Sequence, residues 1–141
     1  MKRIRARDFT AERAWGAERL ALFGSTGVSL HWTDQPYRWH RNTGDEVFVV
    51  LDGRVEMKYR EAGVEKSMLL EAGDALAIGD GEEHVAHPLG EARILVVEDI
   101  DSDWPPVMWL TKIETPIPIS TAPPAISAKP PSRSATLGPI R

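Results

Sequence analysis

Between residues 17 and 100, apolar and polar positions alternate with a period of two in short runs separated by glycine- or aspartate-containing turns. That period predicts strands with one buried face, and a long succession of such strands predicts an all-β sandwich or barrel. "ERLALF" (18–23) and "VSLHW" (28–32) flank "GSTG" as a hairpin. "EVFVVL" (46–51) and "RVEMKY" (54–59) meet across Asp52-Gly53, which reads as a second, tight hairpin. In the first of these partners Glu46, Phe48 and Val50 share a face. In the second, Val55, Met57 and Tyr59 do, which leaves Glu56, Lys58 and Arg60 to solvent. "SMLL" (67–70), "ALAI" (75–78), "HVAH" (84–87) and "ARILVVE" (92–98) complete the series, with turns at "EAGD" and "GDGEE". Residues 7–16 predict a helical turn or two, with Trp15 packing as a lid.

The texture changes near residue 100. "DWPPVMWL" (103–110) is densely apolar, and seven of the 11 prolines fall between 116 and 141. The expected organisation is an N-terminal arm (1–16), a barrel (17–100), an apolar segment that closes the barrel or forms an interface (101–114), and a Pro/Ser/Ala-rich low-complexity tail (115–141). The tail offers too little apolar surface to offset its ordering entropy.

A chain of 141 residues with 42% hydrophobic content can fill one core without crosslinks. It contains no cysteine, so disulfides, thiolate metal sites and cysteine nucleophiles are excluded, and a metal would need imidazole, carboxylate or amide oxygen ligands. The net charge of -4 hides an asymmetry: residues 1–114 hold 14 basic and 21 acidic side chains. That balance disfavours a nucleic-acid partner. "MKRIRAR" lacks a signal peptide's apolar run, and no stretch approaches the roughly 18–20 apolar residues of a membrane span, so a cytoplasmic protein without a membrane partner is expected. Nucleophile elbows, phosphate-cradling glycine loops and zinc-protease helices are absent.

The chemistry concentrates in "WHRNTGDE" (39–46). On a strand His40 and Asn42 face the same side as Arg38, while Trp39 and Arg41 face the other. Gly44 permits a bend, after which Glu46 enters the face of Phe48 and Val50. A carboxylate there requires a proton, a hydrogen bond or a cation. His84 meets it only if the sheet closes. Two imidazoles and a carboxylate suit a transition metal with open coordination positions. The plainer alternative bonds Glu46 to a turn amide and makes both histidines polar rim residues. His87 is expected on the opposite side of its strand from His84. His31 is expected to point outward, because Val28, Leu30 and Trp32 look like the core side. Phe48, Met57 and Tyr59, together with Tyr37, are candidate cavity-lining residues, with plain core packing as the alternative.

These spacings resemble the cupin superfamily, whose motifs have the forms G-x5-H-x-H-x3or4-E-x6-G and G-x5-P-x-G-x2-H-x3-N. His40, Asn42, Glu46 and Gly53 stand at the spacing of the first; Gly73, Gly79, Gly81 and His84 stand at that of the second. Asp34, Asn42, Gly79 and Pro88 replace the leading glycine, second histidine, proline and trailing asparagine. The resemblance spans residues 17–100 and implies an antiparallel jelly-roll barrel, or double-stranded β-helix, of a small single-domain cupin. It also implies that His40, Glu46 and His84 bind a divalent transition metal such as Fe, Zn, Mn or Ni. Asn42, a weaker neutral donor, would ligate weakly or orient a water or substrate oxygen. The implied function is a metal-binding cupin, in its fuller form a metal-dependent enzyme acting on a small oxygen-rich molecule such as a sugar derivative or a keto or hydroxy acid. The alternatives are a non-catalytic small-molecule binding or sensing cupin, with or without metal, and a dimerisation scaffold displaying the tail. A homodimer is expected, and no residue is assigned a catalytic role.

Overall fold

The computed structural model describes residues 1–102, so the expectations for "DWPPVMWL" and the tail lie outside the described residues. Among the described residues, nine strands follow a single 3-10 turn, Ala6–Asp8: β1 Gly16–Phe23, β2 Thr26–Thr33, β3 His40–Arg41, β4 Glu46–Asp52, β5 Arg54–Glu61, β6 Val64–Glu71, β7 Ala75–Ile78, β8 Glu83–Pro88 and β9 Ala92–Asp99. They form two antiparallel sheets, one ordered β1-β2-β9-β4-β7 and the other β3-β8-β5-β6. The sheets face each other as a jelly-roll barrel. Among the described residues, no helix is long and apolar enough to cross a membrane.

The alternating pattern supplies the core. Phe48 and Val50 on β4, Val55 and Met57 on β5, and Ile94 and Val96 on β9 are buried together. Full burial of side chains this size contributes about 1.5–3 kcal/mol each. The arm packs against this body, because the Arg93 guanidinium donates to the Phe9 carbonyl (2.9 Å) and to Asp52 (3.1 Å).

The β1–β2 hairpin forms as expected, turning at Gly24 and Ser25. The expected β4–β5 hairpin does not form. β4 pairs with β7 and β9, whereas β5 pairs with β6 and β8, so Asp52-Gly53 carries the chain from one sheet to the other. Gly53 has φ +80, and a Cβ there would lie 2.2 Å from the Glu91 carbonyl oxygen. The dipeptide signals a positive-φ reversal, which either a hairpin or an inter-sheet corner can use. The hairpin in this region is β5–β6, which reverses at Ala62 (φ 50) and Gly63 (φ 77).

Candidate metal centre

β3 and β8 pair with His40 opposite His84, which sets the two rings 4.3 Å apart between centroids. The turns bearing the two spaced motifs are joined to each other. Gly81 N–H donates to the Asn42 carbonyl (2.9 Å), and Gly44 N–H donates to the Asp80 carboxylate (2.7 Å). Gly44 (φ +87) lets the chain turn after β3, so Glu46 opens β4 on the inner face, as the alternation predicts. One ligand atom each from His40, Glu46 and His84 lies within 4.8 Å of the other two. An ion equidistant from atoms that far apart would sit about 2.8 Å from each, against about 2.0–2.2 Å in a bound site, so side-chain adjustments of under about 1 Å suffice.

Both imidazoles are held in the same way. The Nδ1 of His40 lies 2.9 Å from the Arg38 carbonyl, and the Nδ1 of His84 lies 2.9 Å from the Glu82 carbonyl. With the proton on Nδ1 in each ring, Nε2 carries the lone pair, which is how metal-binding histidines are commonly oriented. The Asn42 amide donates to Glu46 Oε2, while its own Oδ1 is buried without a hydrogen-bond partner among the described residues. The amide nitrogen must face the carboxylate, because the reverse orientation would set oxygen against oxygen. Burial pulls the His84 imidazole down, but its bond to Glu46, the charge of Glu46, the Glu82 carbonyl and the Glu98 charge outweigh that effect, and its pKa rises.

Two residues at the site were not assigned to it from sequence. Glu98 is buried and lines the same cavity as the triad. The β4–β9 register runs to Val47 opposite Val97, so Glu46 and Glu98 stand side by side one step further on the inner face. Ser102 fixes it: its Oγ donates to Glu98 (2.8 Å) while its carbonyl accepts from Thr43 N–H (2.8 Å). The signal was present, since Ala92, Ile94, Val96 and Glu98 share a face just as Phe48, Val50 and Glu46 do.

His31 is the second, and it corrects the expectation of an outward side chain. It is 1% exposed and lines the cavity. β2 turns Gly27, Ser29, His31 and Thr33 toward the inner face and Val28, Leu30 and Trp32 toward the other, which is itself apolar, with Val47, Val49, Leu95 and Val97 beside them, and where Leu30 is only 2% exposed. Alternation identifies the two faces without saying which is the core. Burial pushes the His31 imidazole down to about 4, against the opposing effect of a hydrogen bond with the Trp15 backbone. Trp15 does cover the cavity. Its ring meets Tyr37 at 5.1 Å and His31 at 6.2 Å, and its Nε1 donates to the Gln35 carbonyl (2.9 Å). Phe48 lines this cavity, whereas Met57 and Tyr59 line a neighbouring one. His87 lies on the face of β8 opposite His84, beside Glu56.

No family profile and no curated protein matches the chain. Solved structures do. A cupin-2 domain protein from Shewanella frigidimarina superposes with a TM-score of 0.56 at 24% identity, over 63% of this chain and 84% of that one. A cupin superfamily protein from Desulfitobacterium hafniense gives 0.58 at 18% identity, over 68% and 87%. The fold is a cupin fold. A Neisseria meningitidis protein has it too, with a TM-score of 0.53 at 16% identity over 63% of this chain and 87% of that one. Likeness at these identities establishes the cupin barrel and leaves its activity to the site.

The residues of this cupin barrel fit a divalent transition metal. Two buried carboxylates, Glu46 and Glu98, line one cavity, and among the described residues no lysine or arginine lines it with them. Adjacent buried carboxylates are costly unless a cation or a shared proton offsets them. The nitrogen and oxygen donor set also matches that class of ion.

Proposed function

We propose that this cupin binds a divalent transition metal through His40, Glu46 and His84, and that it acts as a metal-dependent enzyme on a small oxygen-bearing molecule. The observation that carries the reading is the convergence of those three ligand atoms within 4.8 Å of one another. When bound, such an ion supplies Lewis acidity toward a substrate oxygen. The protein's own groups do the rest. Asn42 holds Glu46 in place through its amide N–H. Glu98, anchored by Ser102, is the proton-accepting group beside the triad. Trp15 and Tyr37 restrict water above it. The enzyme reading is favoured over a purely non-catalytic binding module by Glu98, an acid–base group separate from the three ligands.

Metal analysis of protein purified without chelator tests this reading. Near-stoichiometric Fe, Zn, Mn or Ni is expected, falling at least about tenfold in His84→Ala, since a lost imidazole weakens binding by an order of magnitude or more. A folded wild-type protein with no bound metal after exposure to all four ions would overturn it. The homodimer expected from sequence belongs to the same proposal; sedimentation equilibrium should return the mass of two chains, and a single-chain mass at micromolar concentration contradicts it.

A further inference from the structure

Two cavities meet at His84. The one around the triad has a volume of about 30 Å³. At about 10–15 Å³ per water it has room for an ion with a water or a single ligand oxygen, and is too small for the body of an organic substrate. The other has about 160 Å³, close to the roughly 150 Å³ of an apolar cavity that takes benzene.

This second cavity arises from the way the barrel ends. β7 terminates one sheet and β6 the other, and these two edges do not pair. Met57 and Met68 from one sheet and Leu76 and Ile78 from the other line the seam. The seam is continuous with the metal centre, because Ile78 stands opposite Glu46 in the β4–β7 register and Tyr59 stands opposite His84 in the β5–β8 register. Its rim charges are already engaged. Arg60 bonds Glu83, Lys66 bonds Glu61, and Glu82 accepts from Gly79 N–H (2.6 Å). The floor of the cleft offers apolar contact from two adaptable thioethers and two branched side chains, with Tyr59, His84 and the paired charges standing around it.

We propose that this cleft binds the apolar body of the ligand, a group of about benzene size, with the ligand's oxygen function directed toward His84. The proposal rests on the metal-binding reading and narrows it. A sugar seated on this floor would turn hydroxyls toward Met57, Met68, Leu76 and Ile78, away from the polar residues of the rim. A hydroxy or keto acid with a compact apolar side chain fits.

Full-length protein labelled at its methionine methyl carbons tests this by NMR, with phenyllactate as the probe and glucose as the polar control. The Met57 and Met68 methyl resonances should shift saturably with phenyllactate and stay still with glucose, while exposed Met1 does not respond. Met68→Trp, which fills the cleft from β6, should weaken the Met57 response at least about tenfold, or about 1.4 kcal/mol. Leu76→Trp fills it from β7 and answers the same question if the first variant does not fold. No saturable shift, an equal shift with glucose, or a response that survives filling overturns the proposal. Co²⁺ binding, read by visible absorption on the same samples, separates the two claims. Methyl shifts without Co²⁺ binding sink the metal reading and leave the cleft standing; Co²⁺ binding without methyl shifts sinks the cleft alone.

Discussion

The His31 imidazole, 1% exposed and pushed down to about 4 by burial, gives the fold a pH dependence whose sign is fixed. The unfolded chain takes up this proton near 6.5 and the folded chain only near 4, so His31 favours the folded state fully above 6.5, and that contribution is lost as pH falls toward 4. His84 works the other way. Its pKa is raised in the fold, so its contribution is complete below 6.5 and is lost as pH rises through the folded value. Urea denaturation of wild type and His31→Phe at pH 7 and pH 5 separates the two. The wild type should lose about 2 kcal/mol more than the variant between those pH values. Equal losses would show that His31 does not titrate as a buried neutral ring. Among the site residues, His40, Glu46 and His84 were legible because motif spacing and inward alternation agree. His31 was not, because an apolar outer sheet face inverts the usual reading of a strand.

At the scale of elements, the turns carry distinct loads. Gly53 combines positive φ with a neighbour that a Cβ would strike at 2.2 Å, whereas Gly63 has φ +77 and nothing within 4 Å. Gly63→Ala should therefore cost about 1 kcal/mol of backbone strain. Gly53→Ala should cost more than about 2 kcal/mol, because backbone at the inter-sheet corner must also move. Equal costs in denaturant titrations would mean that the corner yields freely. Strand positions were readable almost residue by residue: "ALAI" is β7, and "HVAH" and "ARILVVE" lie within β8 and β9. Pairing was less so. Asp52-Gly53 states that the chain reverses, and only the competition between β5 and β9 for the edge of β4 decides where it goes.

For the whole molecule, closure of the barrel converts a linear pattern into a site. His40 and His84 are 44 positions apart in sequence and become cross-strand neighbours, and Glu98, on the last strand, arrives beside Glu46 by the same closure. The cupin-type spacing made the triad visible in advance. The alternation of β9 marked Glu98 as inward-facing, but its place beside Glu46 and the seam between β6 and β7 depend on which strands and sheets meet, which no local pattern encodes. The central claim is that two imidazoles and one carboxylate share an ion. Crystals grown with Co²⁺ and measured at its absorption edge test it most directly. One anomalous peak is predicted about 2.0–2.2 Å from a nitrogen of His40, a nitrogen of His84 and an oxygen of Glu46. A peak elsewhere, or none with Co²⁺ in excess, would contradict it.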